Sequence, residues 1–290
     1  MNIGSKVFAF FFEPSSAVNL GVCRVFFYGF LFFFYLGRPV YPWGTLNEMF
    51  WLPIPLFEAL RLPLLPEFPL KVLYVAWLVS LFLSCLGLWT RVSTAAAFFL
   101  GFYCWGLPQN FGKIQHNDAI LLMICLVMAV ARCGDRCSVD RVVFRRKPEG
   151  PSGEYTWPVR LAQLLMVLVY FGAGMSKLRV SGLAWIFSDN MANNLAWHHF
   201  THPVPFDINL FLARHDVLSK GLAFAAVAFQ TGAPLALFCP RSRILILAGL
   251  VGFQLFIGVF LGEKFYEFVA LLFFWVPWDR LRFRTRQIFW

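Results

Sequence analysis

Two side chains in this sequence are suited to moving a proton, and both sit at the ends of apolar segments. His116 precedes Asn117 and Asp118 at the start of one of them. An unperturbed histidine titrates near pH 6.5, which fits proton transfer at the mouth of a helical bundle. The alternative is a hydrogen-bonding histidine with no chemistry. Asn117 and Asp118 have an ordinary explanation, because side-chain acceptors and negative charge stabilise the free N–H groups of a helix start. Lys177 closes the run Tyr170-Phe-Gly-Ala-Gly-Met-Ser-Lys177. In that run Gly172, Ala173, Gly174 and Ser176 let a second helix or a flat ligand come close to the backbone. A lysine on the rim of a dry apolar pocket loses hydration of its charged form and can act as a general base. At a helix end it can equally snorkel to lipid headgroups without reacting. On the residues alone both readings of each side chain stay open.

Other groups carry weaker signals. Arg24, in Leu20-Gly-Val-Cys-Arg24, lies inside an apolar run, where a charge is costly and functional by default; it either snorkels to the near interface or pairs with an internal acid. His198 and His202 in Trp197-His-His-Phe-Thr-His202 have the spacing of two metal ligands on a helix. No Glu follows His198 as a zinc protease requires, and Pro203 stops the helix. Cys133-Gly-Asp-Arg-Cys137 is half of a zinc-like pattern without a second half, so no metal is assigned. Glu263-Lys-Phe-Tyr-Glu267 reads most simply as a solvated connection, with Tyr266 and Glu267 entering the last apolar run.

The elements that hold these groups follow from composition. Hydrophobic residues make up 59% of the 290 and charged residues 14%, against roughly 45–50% and about 25% in soluble domains. Aromatics reach 19%, with 36 Phe and 11 Trp, more than a water-soluble globule of this size can bury without large apolar patches. Apolar runs of about 20 residues, the length of a bilayer crossing, recur through the chain. The expected fold class is therefore all-α: a polytopic membrane bundle with about eight transmembrane helices, one or two interfacial helices, and a single membrane domain over 1–290. The expected spans are 17–37, 71–90, 93–110, 117–132, 158–176, 220–238, 243–262 and 265–278. Residues 38–70 and 177–219 form long loops on one face, and 183–197 mixes apolar, polar and aromatic residues as an interfacial helix does. Loop 145–156 has linker composition and is expected to join two four-helix halves.

The net charge is +10, but the basic residues fall in loops between apolar runs instead of forming one stripe, which argues against nucleic acid as a partner. Most Lys and Arg fall on one side of the expected topology, in clusters at 132–147 and 280–286, so both termini are expected in the cytoplasm. The basic tail Arg280 to Arg286 would sit on anionic lipids of that leaflet. The first apolar run lacks a small-residue cleavage pattern and reads as a retained helix. Lys177 and His116 end consecutive antiparallel segments and are expected to emerge on the same outer face.

Four motifs in order resemble a known family: Phe11-Phe-Glu-Pro leading to Arg24; Leu86-Gly-Leu-Trp-Thr-Arg91-Val-Ser; His116-Asn-Asp with the following run to Cys133-Gly-Asp-Arg-Cys-Ser-Val-Asp140; and Tyr170 to Lys177. Together they resemble the horizontally transferred transmembrane (HTTM) domain, which includes the membrane domain of vitamin K-dependent γ-carboxylase and bacterial relatives of unknown function. The resemblance covers nearly the whole chain. It implies a bacterial cytoplasmic-membrane protein and a vitamin K-type hydroquinone as cofactor. It also implies Lys177 as the base that deprotonates it, His116 assisting, and Asn117, Tyr170 and Gly174 contacting substrate. The activity implied is that of a quinol-dependent, carboxylase-like lyase acting on a small peptide.

Two departures temper that implication. The carboxylase continues into a large extracytoplasmic domain that recognises its peptide, whereas here the last apolar run is followed by the basic tail to Trp290. Gln254 also stands where a carboxylase would be expected to have histidine, which bears on the later chemical steps. The second expectation is therefore a non-enzymatic membrane partner for maturation or export of a secreted peptide. A transporter ranks third, because neither an inverted repeat nor a matched pair of broken helices is visible.

Overall fold

A computed structural model describes residues 2–112, 117–145, 150–202, 207–263 and 265–281. Among the described residues the structure is helical, with one isolated antiparallel bridge, Ser15 to Ser152. Four helices are long and apolar enough to cross a membrane: Ala17–Leu36, Glu67–Leu86, Gly153–Ser181 and Pro240–Phe260. They coincide with four of the expected spans. Thr90–Gly106 and Asp216–Gly232 reach 17 residues each and Asn117–Val130 reaches 14, below the roughly 20 residues of an upright crossing. The last expected span holds a helix of six residues, Glu267–Leu272, followed by the 3-10 turn Phe273–Trp275. Eight full-length crossing helices are therefore not established.

The outer surfaces of the long helices fit lipid. Only 17% of the apolar window in Pro240–Phe260 is buried, and 33% in Gly153–Ser181. Phe33, Phe68, Phe99, Ile244 and Leu245 are all well over half exposed. Surface of that kind is stable only where the solvent is itself apolar. The protein is accordingly a membrane protein with several apolar helices.

The chain forms two compact units, Met1–Gln163 with Glu267–Trp290, and Leu164–Tyr266. The division falls inside the helix Thr156–Ser181. Loop 145–156, expected as the joint between halves, belongs to the first unit instead. Its end is tied to the amino-terminal segment by the Ser15–Ser152 bridge and by Thr156 Oγ1, which donates to the Glu13 carbonyl and lies 2.8 Å from the Ser15 hydroxyl.

In the first unit, Ala17–Leu36 packs on Glu67–Leu86, which packs on Thr90–Gly106, which packs on Asn117–Val130. Tyr35, Trp77 and Trp105 form a buried aromatic node, with ring centroids 5.0 to 5.6 Å apart. Edge and tilted ring contacts of this kind add to area burial. The carboxyl-terminal segment runs antiparallel along the whole of Ala17–Leu36. Glu267 acts electrostatically on Tyr35 at one end, Phe273 stacks on Phe26 at 4.8 Å midway, and Asp279 N–H donates to Asn19 Oδ1 at the other. It covers a helix's length in partly unwound form, since a 3-10 turn rises further per residue than an α-turn and Pro277 forbids a continuous helix.

The second unit holds the carboxyl-terminal part of Thr156–Ser181, then Ala184–Phe187, Asn190–Thr201, Ile208–Arg214, Asp216–Gly232 and Pro240–Phe260. The long loop 177–219 is thus largely helical, as the 183–197 pattern foretells. Met191, Leu195 and Ala223 make a small core, against which Trp185, Leu212 and Phe256 pack. Trp197 and Phe200 on the same short helix are mostly exposed, where aromatics serve at a membrane interface.

Candidate functional site

Tyr170, Gly174 and Lys177 stand at i, i+4 and i+7 of one helix, so one face carries all three. Within the second unit this face meets two glutamines. Gln254 Nε2 donates to the buried Tyr170 hydroxyl at 2.8 Å. Lys177 Nζ donates to Gln230 Oε1 at 3.0 Å and to the carbonyl of Ala173 at 3.3 Å. It also stands 5.3 Å from the ring centroid of Trp185, over the indole face. Gln230 is buried. Among the described residues no carboxylate lies in ion-pair range of Lys177. One atom of the cluster is unsatisfied: Gln254 Oε1 is buried without a hydrogen-bond partner, an arrangement that costs free energy unless something donates to it.

Gly174 explains why the two helices come so close. A Cβ there would lie 2.9 Å from the Thr231 backbone nitrogen and from Gln230 Cβ. Of the two occupants that the small-residue run admits, a helix is the one that meets Gly174. A larger residue would push Gln230 away from Lys177. By contrast, a Cβ at Gly172 would meet nothing within 4 Å.

His116 lies outside the described residues. Asn117 opens the helix Asn117–Val130. Asp118 stands in the first turn of that helix, as expected of a helix-start acid, and it also accepts from the Tyr35 hydroxyl of a neighbouring helix at 2.6 Å. Glu267, expected to enter the last apolar run, opens the helix Glu267–Leu272 and is buried at 8% exposure with Oε2 unpartnered, and the charges of Asp118 and Arg38 act on it. The first unit therefore carries a buried acidic group at the entry of the last apolar run. The grouping of His116 with Lys177 is not part of the described geometry.

Arg24 follows neither expected course. It is fully buried, and its guanidinium donates to the carbonyl oxygens of Cys133, at 3.2 Å, and Cys137. The Cys133–Cys137 loop serves here through its backbone. Gly87 completes the seat with φ +69°, where a Cβ would collide with Arg24 Nη1. Asp140 fixes the neighbouring turn by accepting from Trp89 N, Thr90 N and Thr90 Oγ1, each at 2.7 Å.

The histidine-rich helix in the second unit is a packing device in the described geometry. His198 and His202 stack with centroids 4.8 Å apart at 12°. His198 Nδ1 lies 3.4 Å from the buried Asn209 Nδ2, which also donates to the Phe260 carbonyl at 2.9 Å. Among the described residues no group of three or more His, Cys, Asp or Glu is placed to hold a metal ion.

Among the described residues, the motifs quoted for the family resemblance lie on helices and on the turns that join them. A family model described as the HTTM domain matches residues 12–278. The chain belongs to the HTTM-domain family. Among curated proteins and among solved structures, nothing matches the chain. As an HTTM-domain protein it is a membrane protein related to the membrane domain of γ-carboxylase, and the match spans both compact units. Sequence reasoning missed Gln230 and Trp185 as neighbours of Lys177. Gln230 had a usable signal, since Gln230-Thr231 interrupts an apolar run and polar side chains in such runs are rare and purposeful. Trp185 had none, because its contact depends on how the chain turns after Ser181.

Proposed function

We propose that the chain acts as one membrane domain over residues 1–290 in a bacterial cytoplasmic membrane. In this reading eight apolar segments lie in the bilayer and both termini face the cytoplasm. An outward-facing site binds a quinol or another lipid-soluble substrate, which Lys177 deprotonates with His116 assisting. The observation that carries the reading is the setting of Lys177 Nζ: two neutral oxygens, an indole face, and no carboxylate in ion-pair range among the described residues. A general base needs an amine that no counter-ion locks in the ammonium form.

Gln254 supports a hydroxyl-bearing ligand, because its buried, unpartnered Oε1 can accept from one. A vitamin K-type hydroquinone fits these groups. When bound it would, as the resemblance to the carboxylase implies, be oxygenated by dioxygen to give a strong base. Lys177 Nζ would take the proton of one hydroxyl, Gln230 Oε1 would keep the amine aimed, and Gln254 would hold a substrate hydroxyl. Trp185 would shield the amine from water, while Asn117, Tyr170 and Gly174 shape the site. Hydroquinone oxidation by the reconstituted protein under dioxygen tests the reading. Turnover is expected in the wild type and lost in a folded Lys177→Met variant; equal turnover in both contradicts it.

A second reading, the non-enzymatic partner in maturation or export of a secreted peptide, draws on one observation. Lys177 and Tyr170 both already have hydrogen-bond partners inside the unit, which a structural role explains. Co-purification of a peptide that carries no covalent change would favour it.

A further inference from the structure

On the arginine-rich side of the first unit a cavity of about 330 Å³ opens between the start of Thr90–Gly106 and the end of Asn117–Val130. Its volume is at the lower end of small-molecule sites, about 300–1,000 Å³. Two arginines line it. Arg132 Nε is paired with Asp135 at 3.1 Å. Arg91 is exposed, and among the described residues its guanidinium makes no hydrogen bond or ion pair. The acidic groups in the wall are otherwise engaged: Asp140 accepts three hydrogen bonds, and Asp135 takes Arg132 and the Tyr155 hydroxyl. The rim is apolar. Trp89, Val92 and Phe144 line the same cavity and are 61%, 70% and 55% exposed. Trp89 is set there by an unusual backbone, φ +46°, that the Asp140 carboxylate holds through the Trp89 and Thr90 N–H groups.

An unpaired guanidinium inside a polar cavity recognises a phosphate, because its planar fork matches phosphate oxygens. An apolar, Trp-bearing rim at the same opening recognises the chains attached to such a phosphate and belongs at headgroup depth. Inorganic phosphate would use the first feature and gain nothing from the second. We propose that this cavity is a headgroup site for an anionic phospholipid of the adjoining leaflet, with Arg91 binding the phosphate and Trp89, Val92 and Phe144 bearing on its chains. Basic pockets between transmembrane helices commonly take anionic lipid headgroups, and this one is built on a fixed interhelical turn.

The test is native mass spectrometry of the full-length protein in detergent, titrated with phosphatidylglycerol or phosphatidylcholine of the same acyl chains. Wild type is expected to retain one phosphatidylglycerol in preference to phosphatidylcholine. Arg91→Gln should lower that preference about tenfold, the worth of one charge-assisted hydrogen bond, with elution and thermal unfolding unchanged. Arg145→Gln removes the same charge from an exposed position outside the cavity and should leave the preference within about twofold, as a screened surface charge does. Equal loss in both variants would mean bulk surface charge, and full retention in Arg91→Gln would remove the site; either overturns the proposal. Millimolar inorganic phosphate should leave the lipid adduct in place, and displacement by phosphate alone would overturn the lipid assignment.

Discussion

Arg24 and Lys177 are both cations on apolar helices, and the two units treat them differently. In the first unit Arg24 is sealed at zero exposure among backbone carbonyls of a five-residue loop, with Gly87 shaped around it. In the second, Lys177 is half-buried and held by the side-chain amide of Gln230 and an indole face. A guanidinium stays charged at any accessible pH, so carbonyl dipoles can clamp it permanently. An amine can gain or lose a proton, and neutral partners tolerate either form. The comparison separates a cation that builds the fold from one that the proposed function uses as a base.

The largest expected effect breaks the first half of that comparison. Arg24→Met should cost about 3 kcal/mol or more, because buried carbonyls lose their donor and the cavity refills poorly. Thermal unfolding of the detergent-solubilised protein reads it, and a wild-type midpoint would show that the carbonyl seat is dispensable. Next comes Gly174→Ala, which inserts a Cβ 2.9 Å from the Thr231 backbone nitrogen. Overpacking of this kind costs about 1–3 kcal/mol, and by moving Gln230 it should also weaken quinol binding. A variant that keeps both properties would mean that the helix approach does not position Lys177.

Lys177→Met sharpens the second half. Its partner Gln230 Oε1 loses one donor, worth about 1 kcal/mol, so the stability change should be small beside that of Arg24→Met while ligand binding is lost. A loss as large as that of Arg24→Met would make Lys177 structural too.

The smallest effect concerns pH. Burial, and then the charge of the stacked His202, hold His198 below the ordinary histidine range. A base with a lowered folded-state value binds protons more readily when unfolded. Its contribution is therefore intact above about pH 6.5 and is lost as pH falls from there toward the folded value. His198→Gln should flatten the unfolding midpoint between pH 7 and 5. An unchanged slope would locate the pH dependence elsewhere.

Legibility in the sequence followed the physics of each signal. Ala17–Leu36, Glu67–Leu86 and Pro240–Phe260 are visible as bilayer-length apolar runs, because the cost of exposed backbone in lipid leaves a helix as the natural way across. The segment after Glu267 is as apolar, but composition measures hydrophobicity and says nothing of winding, so its 3-10 form was hidden. The face of Tyr170, Gly174 and Lys177 was readable from helical spacing. The partners of Arg24 were not, since every residue carries a carbonyl and no residue type marks the ones in reach. Glu267 stands at the entry of the last apolar run as read, but its burial was not legible, because it comes from Ala17–Leu36 and Asn117–Val130, far away in sequence.

The central claim is that Lys177 serves a bound lipid-soluble substrate. The most direct measurement is mass spectrometry of lipids and quinones extracted from gently purified wild type, Lys177→Ala and His116→Ala. A quinone retained by wild type and lost from both variants is the predicted result. Bulk phospholipid alone from all three would contradict the claim and favour the non-catalytic partner.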